Sequence, residues 1–344
     1  MSTVIIGLLF LLGILLIVKG GDFFVDAASW IAEVSGIPKL IVGATIVSLA
    51  TTLPELLVSV MAAIEGKVDM AIGNAVGSVT ANIGFIMALS ILFMPSVIKR
   101  KDYLLKGTLM LIAAVILLVL GQFRQVEFKY SIVLLIIFII SLGDNIRLAV
   151  AAAKEKHEYD LVEEKQDKKV VNKLKIKLGL RKETTPQNVL KYELCVNIIK
   201  FIIGAGAIVL GADLLTDNGS ELARLIGISE RIIGVTIIAI GTSLPELVTT
   251  ITAIIKKESS LSVGNIIGAN IIDLTLILPI CALITGGSLP VSAQSAAIDL
   301  PACLIIGAIA ILPTFITKKF ARWQSVVLLV TYIGYVVITV TAVI

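Results

Sequence analysis

Two glutamates, each directly after a proline, are the residues in this chain whose type and spacing most clearly suggest chemistry. Glu55 ends the stretch A-T-T-L-P-E that begins at Ala50, and Glu246 ends the stretch G-T-S-L-P-E that begins at Gly241. A proline inside a helix deprives the carbonyl four residues earlier of its hydrogen bond, which here is the carbonyl of Ala50 or of Gly241. Carboxylate, hydroxyl and free carbonyl oxygens are hard ligands, so this arrangement favours Ca²⁺, Na⁺, Mg²⁺ or protons over zinc or copper.

A further polar residue follows each glutamate at the same distance. Asn82 lies 27 positions after Glu55, and Asp273 lies 27 positions after Glu246. If the first of these helices turns back near Glu65–Val68, about 15–20 Å beyond Glu55, both members of a pair lie at about half the depth of a bilayer. The sequence therefore predicts one midplane site with three carboxylates. Its neutral oxygens come from the side chains of Thr51, Thr52, Thr242 and Ser243.

A threonine and a proline in one membrane helix often produce only a kink in that helix, and a single copy of the stretch would leave this structural interpretation open. An ionised group at the centre of a bilayer costs about 2.5–3.5 kcal/mol on insertion scales. Two glutamates at equivalent positions after two prolines therefore favour an ion-binding role over a kink.

The elements that must position these residues are membrane-spanning helices. Of the 344 residues, 57% are hydrophobic and only 16% are charged, and the mean hydropathy is +1.02. In a soluble domain about a quarter of the residues are charged. No stretch has the features of a cleaved signal peptide. The apolar runs predict ten membrane segments, at residues 3–24, 38–65, 69–95, 103–122, 127–152, 193–215, 230–256, 260–285, 292–316 and 323–343.

The chain repeats itself at an offset of 191 residues. Gly20 aligns with Gly211, the two stretches that end in Pro-Glu coincide, and Asn82 aligns with Asp273. Each copy contains five helices, an odd number, so the second copy enters the membrane upside down relative to the first. We therefore expect an all-α polytopic membrane protein with ten transmembrane helices in two inverted five-helix repeats. The first repeat covers residues 1–152, a polar linker covers 153–192, and the second repeat covers 193–344.

The sequence contains few residues that could form a metal site based on histidine or cysteine. His157 is the only histidine, and the three cysteines lie in or beside apolar segments without metal-ligand spacing. We expect no catalytic site and no bound cofactor, and the expected partners are metal ions and the lipid bilayer rather than nucleic acid. Basic residues are concentrated in alternate connections, which predicts a cell-membrane protein with a cytoplasmic central linker and both termini outside.

These motifs resemble those of the cation/Ca²⁺ exchanger superfamily, in particular its prokaryotic Na⁺/Ca²⁺ exchanger branch. The family pattern G-[ST]-[ST]-x-P-E is similar to the two stretches that end at Glu55 and Glu246. The second family pattern, G-N-x-x-G-S-N, is similar to Gly73–Val79 and to Gly264–Asn270. The resemblance covers nearly the whole chain apart from the central linker.

The resemblance implies a carrier in which Na⁺ and Ca²⁺ compete for overlapping sites by alternating access. It implies that the first and sixth helices slide across a fixed core of the other eight. By this resemblance Glu55 and Glu246 bind both ions, and Ser78, Asn82 and Asp273 complete the Na⁺ positions. Further oxygens are implied from the side chains of Thr51, Thr52, Thr242 and Ser243 and from the carbonyls of Ser48 and Ala239.

The chain departs from the family patterns at a few positions. Ala269 stands where the second pattern has serine, which removes one hydroxyl from an implied Na⁺ position, and Val79 stands where the pattern has asparagine. A H⁺/Ca²⁺ antiporter of the same superfamily is therefore an alternative, since buried carboxylates can also exchange protons. A passive channel and an intramembrane enzyme, for which Gly143-Asp144 is the nearest hint, are the remaining alternatives.

Overall fold

The computed structural model describes residues 3–94, 100–178, 187–225 and 241–342. Within these ranges the chain is almost entirely helical. Strands β1 (Gln125–Glu127) and β2 (Ser288–Pro290) pair antiparallel, with Val126 opposite Leu289. The helices are α1 (Thr3–Ser35), α2 (Lys39–Thr51), α3 (Leu53–Ile64), α4 (Val68–Phe93), α5 (Arg100–Gln122), α6 (Phe128–Leu178), α7 (Gln187–Leu225), α8 (Leu244–Ile255), α9 (Ser259–Ile284), α10 (Ser295–Thr317) and α11 (Arg322–Ala342).

Most of these helices are long and apolar enough to cross a membrane. Eight helices in the described part of the chain meet that condition singly, namely α1, α4, α5, α6, α7, α9, α10 and α11. The consecutive helices α2 and α3 form a ninth candidate span, which is bent by 44°. Helix α8 is apolar but has only 12 residues, and residues 230–240 of the seventh predicted segment lie outside the described residues. The polytopic helical fold is thus confirmed. Seven of the ten predicted segments lie wholly within the described residues, and the segments 69–95 and 323–343 lack only their last residue.

Three helices extend beyond their predicted membrane segments. Helix α1 continues to Ser35 rather than to residue 24, α6 continues to Leu178 rather than to 152, and α7 begins at Gln187 rather than at 193. The polar stretch that α6 enters has no glycine or proline between Gly143 and Gly179, and its lysine and glutamate residues are good helix formers. Hydropathy detects only the part of a helix that lies in lipid, so it underestimates the length of a helix that continues beyond the bilayer. The all-α prediction also missed β1 and β2, which are short connections.

The helix boundaries follow the 191-residue offset closely around the two Pro-Glu stretches. Helices α3 and α8 each have 12 residues and begin at Leu53 and Leu244. Helices α4 and α9 each begin with 14 residues of α-helix and then change to a π-helical segment, at Asn82 in α4 and at Asp273 in α9. Such π-helical turns within α-helices are rare and frequently mark functional sites. Both polar residues that the spacing singled out thus begin the same local irregularity.

Helices α1 and α7 cross in antiparallel directions at two pairs of glycines. A Cβ atom on Gly13 would lie 2.9 Å from the carbonyl oxygen of Gly211, and one on Gly20 would lie 2.9 Å from the carbonyl oxygen of Gly204. Gly204 and Gly211 are the counterparts of Gly13 and Gly20 at the 191-residue offset. Because glycine allows helix backbones to touch, the two helices form a closely packed and nearly symmetric pair.

Replacing Gly20 by leucine is expected to lower the melting temperature of the detergent-solubilised protein. The added side chain meets backbone of α7, and overpacking of this kind typically costs about 1–3 kcal/mol. Gly7→Leu is the matched control on the same helix, since a Cβ there meets no described atom within 4 Å. Equal melting temperatures for the two variants would contradict the close crossing.

Two contacts identify the opposite ends of the helical bundle. Lys39 Nζ, at the start of α2, lies 2.6 Å from Glu258 Oε1, in the turn before α9. The strands β1 and β2 pair at the end of the bundle that α9 reaches at Ile284. We call these two ends the Lys39 face and the β face.

Candidate metal-binding site

Each Pro-Glu stretch lies where one helix ends and another begins. Thr52 separates α2 from α3, and Ser243 immediately precedes α8. Pro54 and Pro245 therefore occupy the first turn of a helix, where a backbone N–H has no intrahelical partner and proline is well tolerated. Glu55 and Glu246 follow in the same turn, where the helix dipole favours a negative charge. The predicted distortion is thus a complete break, and it places both carboxylates at helix N-termini.

The Glu55 carboxylate is buried and has no hydrogen-bond partner for either oxygen among the described residues. The groups that act on it electrostatically include the carboxylates of Glu246 and Asp273 and the hydroxyl of Ser243. Its backbone carbonyl accepts a hydrogen bond of 3.1 Å from Asn74 Nδ2. The structure therefore brings the three predicted carboxylates into one electrostatic neighbourhood.

The Glu246 carboxylate contacts hydroxyls from the other half of the chain. Thr52 Oγ1 donates to Glu246 Oε1 at 3.4 Å, and Thr51 also lies close to this carboxylate. Glu246 Oε2 has no partner in the described part of the chain. Ser243, which precedes α8, lies beside Glu55 in turn. The hydroxyls at each helix break thus face the glutamate of the other break.

The residues at the π-helical segments lie in the same buried region. Asn82 Nδ2 donates to Asn270 Oδ1 at 3.2 Å, while Asn82 Oδ1 and both oxygens of Asp273 have no partner among the residues described. The Ser243 hydroxyl donates to the Ser78 hydroxyl at 3.3 Å. These side chains are between 0% and 3% exposed, so they are almost entirely buried. Ser78, Asn82 and Asp273 therefore share this region with the residues at the two helix breaks.

Three asparagines outside the predicted ligand set also support this region. Thr51 Oγ1 donates to Asn265 Oδ1 at 3.1 Å, and Asn270 accepts from Asn82. Asn74 Nδ2 donates both to the Glu55 carbonyl and to Ser59 Oγ, at 3.1 and 2.9 Å. All three lie in the stretches that are similar to the pattern G-N-x-x-G-S-N, so the motif contained the signal that could have identified them.

The remaining predicted residues lie at the margin of this region or outside the described chain. The Ser48 carbonyl accepts from the backbone N–H of Thr52 at 2.9 Å and from the Thr51 hydroxyl at 3.4 Å. Thr242 is half-buried, and its hydroxyl has no partner in the described residues. Ala239 lies outside them. Among the described residues, no three side chains of His, Cys, Asp or Glu are close enough to hold a metal ion by themselves.

Unpaired carboxylate oxygens are costly in such surroundings. An ionised group in an apolar interior requires a compensating charge or several hydrogen bonds, and only one of the six carboxylate oxygens of Glu55, Glu246 and Asp273 has a hydrogen-bond donor within the described chain. A hard cation with neutral oxygen ligands, or protons, would offset this cost. The chemistry of the donor set thus fits cation binding.

Two cavities approach these residues from opposite faces. The larger has a volume of about 610 Å³, lies on the β face beside Ser292 and reaches Ser78 and Thr242. The smaller has a volume of about 270 Å³, lies toward the Lys39 face and is lined by Thr45 and Ser48. We call them the β-face passage and the Lys39-face passage. Each contains a member of the pair Gly77 and Gly268, which are 191 residues apart.

Comparison with known proteins agrees with this description. The family model described as sodium/calcium exchanger protein matches residues 5–144 and 196–341. The sodium/calcium exchanger MaX1 of Methanosarcina acetivorans is 30% identical over 344 residues, which cover 96% of this chain and 97% of the relative. The inner membrane protein YrbG of Escherichia coli is 33% identical over 287 residues, which cover 83% of this chain and 82% of the relative.

A solved structure gives the same result. The sodium-calcium exchanger NCX_Mj, soaked with Na⁺ and Sr²⁺, matches with a TM-score of 0.77 at 27% identity, over 98% of this chain and 99% of that one. The family model covers well over half of the sequence, and the similarity to NCX_Mj extends over the full fold. The chain therefore belongs to the sodium/calcium exchanger protein family.

Proposed function

We propose that this chain is a secondary active antiporter that exchanges Ca²⁺ for Na⁺ across a cell membrane by alternating access. The observation that supports this most directly is the reciprocal arrangement at the two helix breaks. Thr52 contacts Glu246 and Ser243 lies beside Glu55, so each half of the chain supplies oxygens to the carboxylate of the other. A site built in this way changes when the halves move, which is what coupled transport requires.

The proposed ligands divide into two groups by charge. Glu55 and Glu246 supply the negative charge for Ca²⁺ and are shared with Na⁺. Asp273, Asn82 and Ser78 complete the Na⁺ positions, with the carbonyls of Ser48 and Ala239 as further ligands. Hydroxyls of Thr51, Thr52, Thr242 and Ser243 complete the set, so neutral oxygens outnumber the carboxylates. Since both ions prefer oxygen ligands, the two compete and only one kind is carried at a time.

The same proposal includes the inverted architecture. The antiparallel crossing of α1 and α7 at counterpart glycines supports two repeats, at residues 1–152 and 193–344, related by a pseudo-two-fold axis in the membrane plane. The pairing of β1 with β2 agrees with ten crossings, because four crossings separate these two connections and return the chain to the same face. We place the 153–192 linker in the cytoplasm and both termini outside.

The similar proteins add support for the transported ions. MaX1 and NCX_Mj are described as sodium/calcium exchangers. One observation favours protons as an alternative coupling ion. Ala269 lacks the hydroxyl of the family pattern and lies buried next to Asn270. Each of the three carboxylates of Glu55, Glu246 and Asp273 has at least one oxygen without a partner among the described residues, so each could take one proton.

The coupling ion is tested by the gradient that drives transport. The protein reconstituted in liposomes loaded with Na⁺ is expected to take up ⁴⁵Ca²⁺ when diluted into Na⁺-free buffer at constant pH. Uptake driven by a pH gradient without Na⁺ should remain at the level of empty liposomes. The reverse result would establish H⁺/Ca²⁺ exchange, and Ca²⁺ uptake without any counter-ion would establish a channel.

A further inference from the structure

The two passages differ in charge, although their walls are built from counterpart positions. Tyr332 and Val336 line the β-face passage, and their counterparts at the 191-residue offset, Ser141 and Asn145, line the Lys39-face passage. The charged residues do not follow this correspondence. Among the described residues, Asp69 and Asp299 are the charged residues that line the β-face passage, and Lys106 is the charged residue that lines the Lys39-face passage.

Each of these charges has a neutral residue at the counterpart position. Asp69 corresponds to Ser260, Asp299 to Thr108 and Lys106 to Ala297. The difference between the passages is therefore a property of three individual side chains that the repeat does not impose. None of the three belongs to the proposed ligand set.

The positions of these side chains allow them to act on an ion in transit. Asp299 is 7% exposed, and its Oδ1 accepts a hydrogen bond of 3.1 Å from the hydroxyl of Tyr335, which lines the same passage. Lys106 is buried beside the passage that Thr45 and Ser48 line. Charges in low-dielectric walls act strongly on ions in a narrow cleft, because the surrounding protein screens them poorly. The β-face passage therefore attracts cations more strongly than the Lys39-face passage, whose described lining contains no carboxylate.

We propose that Asp69 and Asp299 make cation entry faster from the β face than from the Lys39 face. This inference rests on the proposed function. The two aspartates set the rate at which ions reach the carboxylates and do not bind the transported ion. The rate of exchange therefore differs between the two faces when the ion concentration is limiting, and this difference disappears when the ion is saturating.

The test measures exchange from each face separately. Right-side-out and inverted vesicles present opposite faces. An impermeant maleimide on a Gln125→Cys variant, in which the exposed native Cys195 is replaced by serine, shows which vesicles expose the β face, since Gln125 is an exposed residue of β1. Asp299→Asn keeps an acceptor for Tyr335 and removes the charge. We expect it to lower ⁴⁵Ca²⁺ exchange at limiting Ca²⁺ from the β face by about tenfold, the lower end of the effect that focused charge has on association rates. Exchange from the Lys39 face and the saturating rate should not change.

A further variant keeps the inference testable if Asp299→Asn does not fold. Asp69→Asn alters an exposed side chain and should act in the same direction. Glu65→Gln is the matched control, because Glu65 is exposed in the turn before α4 and does not line the passage.

The charge of the ion gives a second criterion. The free energy of an ion in a potential is proportional to its charge, so the fold-change for Ca²⁺ should equal the square of the fold-change for Na⁺. Equal changes from both faces, or equal changes for Ca²⁺ and Na⁺, would overturn the inference while leaving the proposed function intact. An unmodified protein that exchanges no Ca²⁺ would overturn the proposed function and this inference with it.

Discussion

Replacing either Glu55 or Glu246 by glutamine is expected to reduce Na⁺-dependent ⁴⁵Ca²⁺ uptake to the level of empty liposomes. Each glutamate contributes a full negative charge in a buried site, and its amide isostere keeps the shape but loses that charge. Loss of a residue that only supports a metal ligand typically costs about 10- to 100-fold, so loss of a charged ligand should cost at least as much. The measurement is the initial rate of uptake into Na⁺-loaded liposomes.

Folding should survive these substitutions. A neutral amide costs less to place in a membrane than an ionised carboxylate, so both variants should elute as monodisperse proteins in detergent. Glu55→Asp keeps the charge on a shorter side chain and should retain partial activity. Glu65→Gln, on the exposed turn before α4, should match the unmodified protein. Full activity of both Glu55→Gln and Glu246→Gln would show that the site has been assigned to the wrong residues.

The local features around these glutamates could be predicted from the sequence because they depend on short-range chemistry. Proline has no N–H, so Pro54 had to disturb its helix, and the structure shows a break at Thr52. The predicted turn near Glu65–Val68 matches the end of α3 at Ile64 and the start of α4 at Val68. The 27-residue spacing also identified Asn82 and Asp273, and each begins a π-helical segment.

The partners across the site could not be predicted, because they depend on how distant helices meet. The sequence places Thr52 and Glu246 at similar membrane depths in the two repeats. It does not show that the Thr52 hydroxyl faces the Glu246 carboxylate. Asn270 is similar, since its counterpart Val79 is apolar and the repeat gives no reason to expect a hydrogen bond to Asn82. Pairing across the repeats is a property of the packed helices.

The helix pair α1 and α7 shows how such packing bears on the proposed transport cycle. The two helices touch through backbone at counterpart glycines, which holds them together without large side chains between them. Helix α1 also contacts α8, where a Cβ on Gly21 would lie 3.7 Å from the Cβ of Thr252. The family resemblance implies that the first and sixth helices move as a pair across the others. The α1–α8 contact would then slide, and the α1–α7 contact would stay fixed.

A disulfide between α1 and α8 is therefore expected to stop exchange. The separation of 3.7 Å between the Cβ positions of residues 21 and 252 suits a disulfide, in which the two Cβ atoms are about 3.5–4.5 Å apart. Gly21→Cys combined with Thr252→Cys should exchange normally under reducing conditions and fall to background after oxidation. Cys195, the exposed native cysteine, is replaced by serine, whereas Cys281 and Cys303 are buried and stay. The measurement is Na⁺-dependent ⁴⁵Ca²⁺ uptake before oxidation, after oxidation and after renewed reduction.

The matched control joins α1 to α7. A Cβ on Gly13 would lie 3.3 Å from the Cβ of Leu214 and 2.9 Å from the carbonyl oxygen of Gly211, so Gly13→Cys with Leu214→Cys can form a disulfide once the two helix backbones move slightly apart. If α1 and α7 move as one unit, this second disulfide leaves exchange unchanged, because it links atoms that keep their separation throughout the cycle. Block by both disulfides would mean that α1 moves against α7 as well. Block by neither would mean that α1 and α8 keep one relative position while the ions cross, and the sliding of α1 would have to be abandoned.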